Sequence, residues 1–413
     1  MSEALEQAPS TRISYWSIVW AQLRKNRIAL AGIWCIAVLF LLAVYAPFFY
    51  MDEPLVWIAG GDLRMPFFAA LFNRLLFENS VDLFFNLMLV LSPLAFLVYW
   101  TVRRATGERF SAHRGRLIGW LLLGQLVAFV LVAPQRWGPW PNPLHHQAAV
   151  VDWDLKRAEL EAAGESVTAI FPMKRINYRD TDPVKTVLPP GPEHWLGTDL
   201  EGRDVAARML YGTRISLTIG VVAVSIYVLI GVVLGALAGY FGGWVDNWVS
   251  RAIEVMICFP SFFLILTLAA FVENRSIFHV MVIIGITSWT GVARLIRAEF
   301  LKHKELEYAQ AALALGIPRP RIIFRHILPN AIAPVLVTAT FGVASAILVE
   351  SSLAFLGLGD PSAPSWGETL NSGRVEQKLW LILAPGVAIF FVVSVFNLVG
   401  EGLRDALDPK LRA

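Results

Sequence analysis

The 413-residue chain is 56% hydrophobic and only 16% charged, with a formal net charge of +3. Together with a mean hydropathy of +0.58, this excludes an ordinary water-soluble globule, in which about a quarter of the residues are charged. The chain carries no G-x-x-x-x-G-K-[ST], H-E-x-x-H or G-x-S-x-G pattern, so it offers no phosphate loop, zinc-protease helix or hydrolase elbow.

Residues 1–27 precede the first apolar run. Within them Ile13, Trp16, Trp20 and Leu23 have the spacing of an amphipathic helix on the inner leaflet, with a disordered tail as the alternative before Ser14. The run that follows is too long for the core of a cleaved signal. Eight stretches reach the roughly 20 apolar residues that cross a bilayer. They lie near 28–49, 83–102, 117–134, 215–240, 255–272, 277–293, 331–349 and 379–400. Phe259-Pro260 falls inside the fifth, where a membrane helix tolerates proline if neighbours satisfy the freed carbonyl. Cys35 and Cys258 lie in spans and read as packing residues.

Arginine and lysine cluster in four segments: before the first span, at 103–116, at 294–325 and at the C-terminus. All four fall on one side of an eight-span chain, which predicts both termini in the cytoplasm. The segment 135–213 is then extracytoplasmic. Trp137 and Trp140 among prolines suggest an interfacial collar, and 154–164 a short surface helix. Adjacent His145 and His146 suit a loop better than a metal site, and no metal is expected. Thr198 or Asp199 is expected to cap a helix from Leu200, with Gly212 breaking it before the next span. Asp199, Arg203, Asp204 and Arg208 are expected to form an exposed, weak ion-pair lattice. Glu254 and Glu350 stand in apolar surroundings, which makes them pathway candidates; pairing with Arg251 and Arg374 is the structural alternative.

Residues 307–329 form a charged helix–turn–helix between two apolar spans, well placed as a handle for a soluble partner. Gly316 and Pro318 end one helix and start the next. Alanines at 309, 311, 312 and 314 keep the surface low for a close approach. This stretch resembles the EAA loop by which ABC importer permeases dock onto their ATPases. The resemblance assigns docking to Glu307, Gln310, Ala311, Ala312, Gly316, Leu328 and Pro329, with Ala312 facing the ATPase. Gln310 replaces the motif glutamate, and His326 a common isoleucine.

The stretch 194–217 resembles the outer-face signature of the dipeptide/oligopeptide branch, specifically its C-type subunit, through Gly197, Thr198, Asp199, Gly202, Arg203 and Asp204. Residues 251–260, 289–316, 350–359, 364–367 and 397–409 continue the likeness in family order, with Glu254 and Glu401 in place of the usual aspartates. Members usually have six spans, so 83–134 reads as an inserted hairpin, reinforcing the lipid face or touching a partner. Its Asn86, Ser92 and Gln125 are placed to bond across it, and its removal should leave the other spans as oriented.

The resemblance implies an all-α polytopic permease with a type I ABC importer core formed by the last five spans. Its parts are an N-terminal segment (1–27), a first span (28–49), the insert with its loops (50–134), an outer segment (135–213), a core (214–403) containing the docking loop (294–330), and a tail (404–413). It further implies a bacterial inner-membrane subunit that imports di- or oligopeptides by alternating access. The implied partners are a B-type permease, two ATPases that bind the ATP and magnesium, an extracytoplasmic binding protein and membrane lipid. This chain would bind no cofactor and no nucleic acid. An ATP-independent channel or scaffold is the other reading.

Overall fold

A computed structural model of the chain describes residues 15–106, 110–132, 150–273 and 275–407. The aromatic collar, the histidine pair and Ile13 lie outside them. Helix α1 (Tyr15–Lys25) turns Val19 and Leu23 onto Ala29 and Ala406. It therefore packs on the last helix of the chain, with Trp20 left exposed. Asn26 caps α2 (Arg27–Val44), its Oδ1 accepting from the amides of Ile28 and Ala29 at 3.1 Å.

The next polar stretch is not helical throughout. Strand β1 (Val56–Ala59) turns at Gly60-Gly61 into β2 (Asp62–Arg64), and its other edge pairs antiparallel with β3 (Val167–Ile170). A small three-stranded sheet is thus set into an otherwise helical polytopic fold. It joins chain from both sides of the 83–134 hairpin into one cap, beside the surface helix α5 (Trp153–Ala162). Trp153 lies on Trp57 at 4.8 Å between ring centroids, and its indole N–H donates to Glu53 Oε2 at 2.9 Å.

Burial pushes the Glu53 carboxyl up to about 7, with the indole bond opposing. Between the ordinary carboxylate range and 7 the folded cap holds a proton that the unfolded chain has lost. Cap stability should therefore fall as pH rises through that window. Protease nicking of the cap is expected to be faster at pH 8 than at pH 5.5, and Glu53→Gln should flatten that difference. An unchanged pH slope in the variant would place the titration elsewhere.

Helices α3 (Ser80–Thr106) and α4 (Phe110–Val132) form the hairpin. Its first half is not a detachable insert. Val81, Leu83, Phe85 and Leu89 are buried, and Asn86 Nδ2 donates to the Leu71 carbonyl at 2.9 Å. Ser92 reaches Tyr45 at 3.3 Å, so only Gln125, at 3.5 Å from the Phe84 carbonyl, bonds across the hairpin. Removing 83–134 would strip part of the core and not merely its edge.

The central element is α6 (Val205–Phe241), a continuous helix of 37 residues. Gly212 does not break it. A Cβ there would stand 2.7 Å from the Pro364 carbonyl, so its small size admits that loop. About five turns further along, Gly231, Gly235 and Gly239 form a seam against α10 (Thr290–Lys304), where added Cβ atoms would meet Val292, Ala293 and Phe300 at 2.5–2.6 Å. Helices α9 (Ile277–Thr287), α12 (Ala333–Phe355) and α2 pack around the same rod. The fifth expected span is two helices, α7 (Gly243–Cys258) and α8 (Ser261–Ala270), meeting at 80°. Pro260 supplies no amide and holds Phe259 extended, so the helix stops there. A second bend, of 41°, separates α9 from α10. Five described helices are long and apolar enough to cross a membrane, seven with each bent pair taken as one span, and α4 adds a shorter apolar helix over Leu117–Leu131.

One buried cluster fastens three of these helices at their cap ends. Arg214 and Asp82 are both fully buried, and Arg214 Nη1 donates to Asp82 Oδ1 at 2.9 Å. Arg214 Nε and Nη2 donate to the Ala43 and Val44 carbonyls, the last of α2, at 2.7 and 3.4 Å. Tyr178 donates to the other Asp82 oxygen at 2.9 Å. A cation on the carbonyl end of α2 and an anion in the first turn of α3 both match the helix dipoles.

Candidate functional site

At the end of α6 away from the cap, α10 runs into α11 (Glu307–Ala314), a reverse turn and a π-helical stretch, Ile322–Ile327. The turn is a Schellman closure. The Ile317 amide donates to the Ala312 carbonyl at 3.1 Å and the Gly316 amide to that of Leu313 at 3.0 Å, with Gly316 at φ +71. Gln310 Nε2 donates to the Lys304 carbonyl at 2.8 Å, where a glutamate would set a carboxylate against a carbonyl. That explains the departure at this position.

Ala312, expected to face a partner, is instead buried with Ala309 inside the hairpin, where α11 meets the π-helical stretch. Glu307, Gln310, Ala311, Gly316 and Pro329 are exposed, and Leu328 is half-buried. The apolar surface presented outward is larger than the motif suggests: Leu313 is 50% exposed, Phe324 62% and Leu315 80%. Arg319, Arg321 and Arg325 surround it. Beneath Gln310 and Leu313 a recess of about 280 Å³ is floored by Tyr240 and Phe241, the last residues of α6.

At the cap end, Asp199 Oδ1 accepts from the amides of Glu201 and Arg203 at 3.0 and 2.9 Å. This turn uses the donors that a helix from Leu200 would need, and Gly202 at φ +75 completes it against the Asp182 backbone. The helix begins at Val205, capped by Asp204, whose Oδ1 accepts from the Ala207 amide at 2.7 Å and whose Oδ2 meets His194 Nδ1 at 2.8 Å. Thr198 Oγ1 bonds the Leu188 amide and the Lys185 carbonyl instead of capping, and Gly197 turns at φ +76.

Three of the four expected residues, Asp199, Arg203 and Arg208, form an ion-pair lattice that is largely buried, while Asp204 pairs with His194 instead. Arg203 Nε donates to Asp199 Oδ2 at 2.7 Å, and both Arg203 and Arg208 reach Glu368, at 3.3 and 2.6 Å. Glu368 lies on α13 (Trp366–Glu376), 160 residues from Arg208, which is why spacing along the chain did not reveal it. Burial pushes its carboxyl upward against the pull of the two arginines. Truncating either Arg203 or Arg208 would leave Asp199 and Glu368 to share one remaining arginine. Glu368→Gln is expected to be the mildest lattice variant, measured as the smallest loss of thermal stability in detergent.

Glu350 is buried but does not pair with Arg374. It accepts from Ser365 Oγ at 2.7 Å, while Arg374 lies over the Phe355 ring and bonds Asn371. Ser365 also caps α13, so Glu350 fixes that loop. Glu254 does pair with Arg251, at 2.5 Å on an exposed face. Where the middles of α6 and α12 meet the α9–α10 joint lies an uncharged recess of about 300 Å³ lined by Tyr227, Ser288, Gly291, Thr338, Phe341 and Ser345. Its small and hydroxyl side chains carry no sequence signal that would have singled them out.

Residues 231–413 match the family described as binding-protein-dependent transport system inner membrane component. Residues 14–57 match the N-terminal TM domain of oligopeptide transport permease C. A dipeptide transport system permease of Alkalihalophilus pseudofirmus is 38% identical over 289 residues, 66% of this chain and 95% of that protein. An oligopeptide transport system permease of Haemophilus influenzae is 41% identical over 310 residues, 74% of this chain and 88% of that one. A glutathione transport system permease of Pectobacterium atrosepticum is 39% identical over 59% of this chain and 81% of its own length. An inward-facing structure of the MetNI methionine ABC transporter superposes with TM-score 0.41 at 15% identity, covering 49% of this chain and 96% of that one. With family segments on both sides of the cap and relatives matched over most of their length, this chain belongs to the binding-protein-dependent inner-membrane permeases, as a C-type subunit of the dipeptide/oligopeptide ABC importer family.

Proposed function

We propose that the chain imports di- or oligopeptides by alternating access, paired with a B-type permease and driven by two ATPases that dock at the 307–330 hairpin. The named substrates of its relatives support the cargo. The single observation that carries the docking is the exposed apolar tip of that hairpin, Leu313, Leu315 and Phe324, ringed by arginines. Apolar surface on a charged, non-spanning turn is exposed to water at a cost that a partner removes by covering it. A channel that binds no soluble partner would have no use for it. ATP and magnesium belong to the ATPases, and the cap, with its buried lattice, is the surface offered to an extracytoplasmic binding protein. The uncharged recess on α6, α10 and α12 is the wall along which a peptide passes, since it sets no buried charge against either end of a zwitterion. Binding of ATP and of the loaded binding protein would favour different states of the same assembly.

This reading places both termini and the 103–116 loop in the cytoplasm and the cap outside. Single cysteines in the loop and at exposed Val184 of the cap, in a chain without Cys35 and Cys258, should label from opposite faces. Labelling of both from one face would overturn the orientation. Capture of the ATPases by the wild-type chain, together with ATP-dependent peptide uptake, tests the assembly.

A further inference from the structure

We propose that the notch between α3 and α4 holds an acyl chain of an anionic phospholipid, whose headgroup is bound by the arginines at the end of the hairpin away from the cap. The notch has a volume of about 410 Å³ and opens along one side of the hairpin. Ala95, Gly124 and Ala128 make it deep, and Val98 and Trp120 form its walls toward the arginine end. A Cβ on Gly124 would meet nothing within 4 Å, so the space there is open. Its two polar side chains are already engaged, Ser92 with Tyr45 and Gln125 with the Phe84 carbonyl. What remains is a hydrocarbon-lined slot that asks for no hydrogen bond.

The charge at its mouth selects the occupant. Asp82, in the first turn of α3, is tied to the cap end by Arg214, and a 27-residue helix is about 40 Å long, so its last turn lies at the opposite headgroup level. Arg103 and Arg104 are exposed in that turn, without a carboxylate partner among the described residues. Arg104 lies on the Trp100 ring at 3.8 Å, which presents the guanidinium edge to solvent. In sequence Arg109, Arg114 and Arg116 follow, with Glu108 as the single acid. An apolar slot in a hairpin whose far end carries exposed guanidinium groups is complementary to an acyl chain joined to a phosphate, and juxtamembrane arginines attract anionic lipid. A helix of another membrane protein would fill the slot but leave those charges unanswered.

Native mass spectrometry of the purified full-length chain, with phosphatidylglycerol or phosphatidylcholine of identical acyl chains, tests this. Phosphatidylglycerol is expected to stay bound at least tenfold better. Arg103→Gln with Arg104→Gln should weaken it about 25-fold, from the usual contribution of each basic residue near the surface. Gly124→Leu, or Ala128→Leu on the same wall should the first not fold, should weaken both lipids alike by filling the slot. Glycerol phosphate, which has the headgroup charge but no chain, should not compete. Equal binding of the two lipids, full retention in the slot-filling variants, displacement by glycerol phosphate alone, or a co-purified protein that protects the slot from lipid would each overturn the proposal.

Discussion

Leu313→Glu combined with Leu315→Glu is expected to abolish ATP-driven uptake and to release the ATPases in a pull-down, while the melting temperature of the chain stays within a few degrees. Both leucines are exposed on the free hairpin, so the chain alone loses little by the change. On docking, each would bury a carboxylate without a partner, which costs on the order of several kcal/mol. At about 1.4 kcal/mol per tenfold, that is two or more orders of magnitude in affinity. Ala312→Asp makes the instructive contrast. Ala312 is buried within the hairpin, so the charge should lower the stability of the hairpin itself, and any loss of docking would be secondary. Normal ATPase capture by the double leucine variant would move the docking surface off this tip.

The second large effect is expected at the buried pair. Arg214→Met should destabilise the chain by about 3–5 kcal/mol, because it leaves the Asp82 carboxylate buried with only Tyr178 to answer it. Asp82→Leu should be similar, since it leaves the guanidinium without a counter-charge, held by the two α2 carbonyls and the Phe85 and Tyr211 rings. Combining Arg214→Met with Asp82→Leu removes both charges and should cost clearly less than the two single changes added together. Thermal unfolding in detergent measures all three. Strict additivity would mean that the two residues act independently, against the 2.9 Å bond between them.

Much of this was legible in the sequence where the signal is local. The 154–164 surface helix and the hairpin around Gly316 depend on residues within a few turns of one another and appear at nearly the expected bounds, and the apolar runs fall in helices, two of them bent pairs. What eluded the sequence was set by distant partners. Gly212 looks like a helix breaker until Pro364 is placed against it, and Asp199 looks like a cap until its carboxylate is seen closing a turn. Ala312 follows the motif in identity, but the side it faces depends on the π-helical stretch ten residues on. Arg214 reads as a flank of a span, and only the convergence of α2 and α3 makes it a fully buried cation. Phe259-Pro260 shows the reverse. The local rule that proline ends a helix applied after all, although membrane packing can override it.

The length of α6 has a mechanical consequence. Thirty-seven helical residues extend about 55 Å, well beyond a bilayer core. One end is clamped by the Asp204–His194 bond and the Arg208–Glu368 pair, and the other floors the recess under Gln310. The glycine seam then presses α10 against it backbone to backbone, leaving no soft layer in which to slide. Such a strut carries a load applied at the hairpin straight to the cap without storing it. Under alternating access the subunit would then tilt as one lever, with flexing confined to the joints at Phe259–Pro260 and Ser288–Trp289.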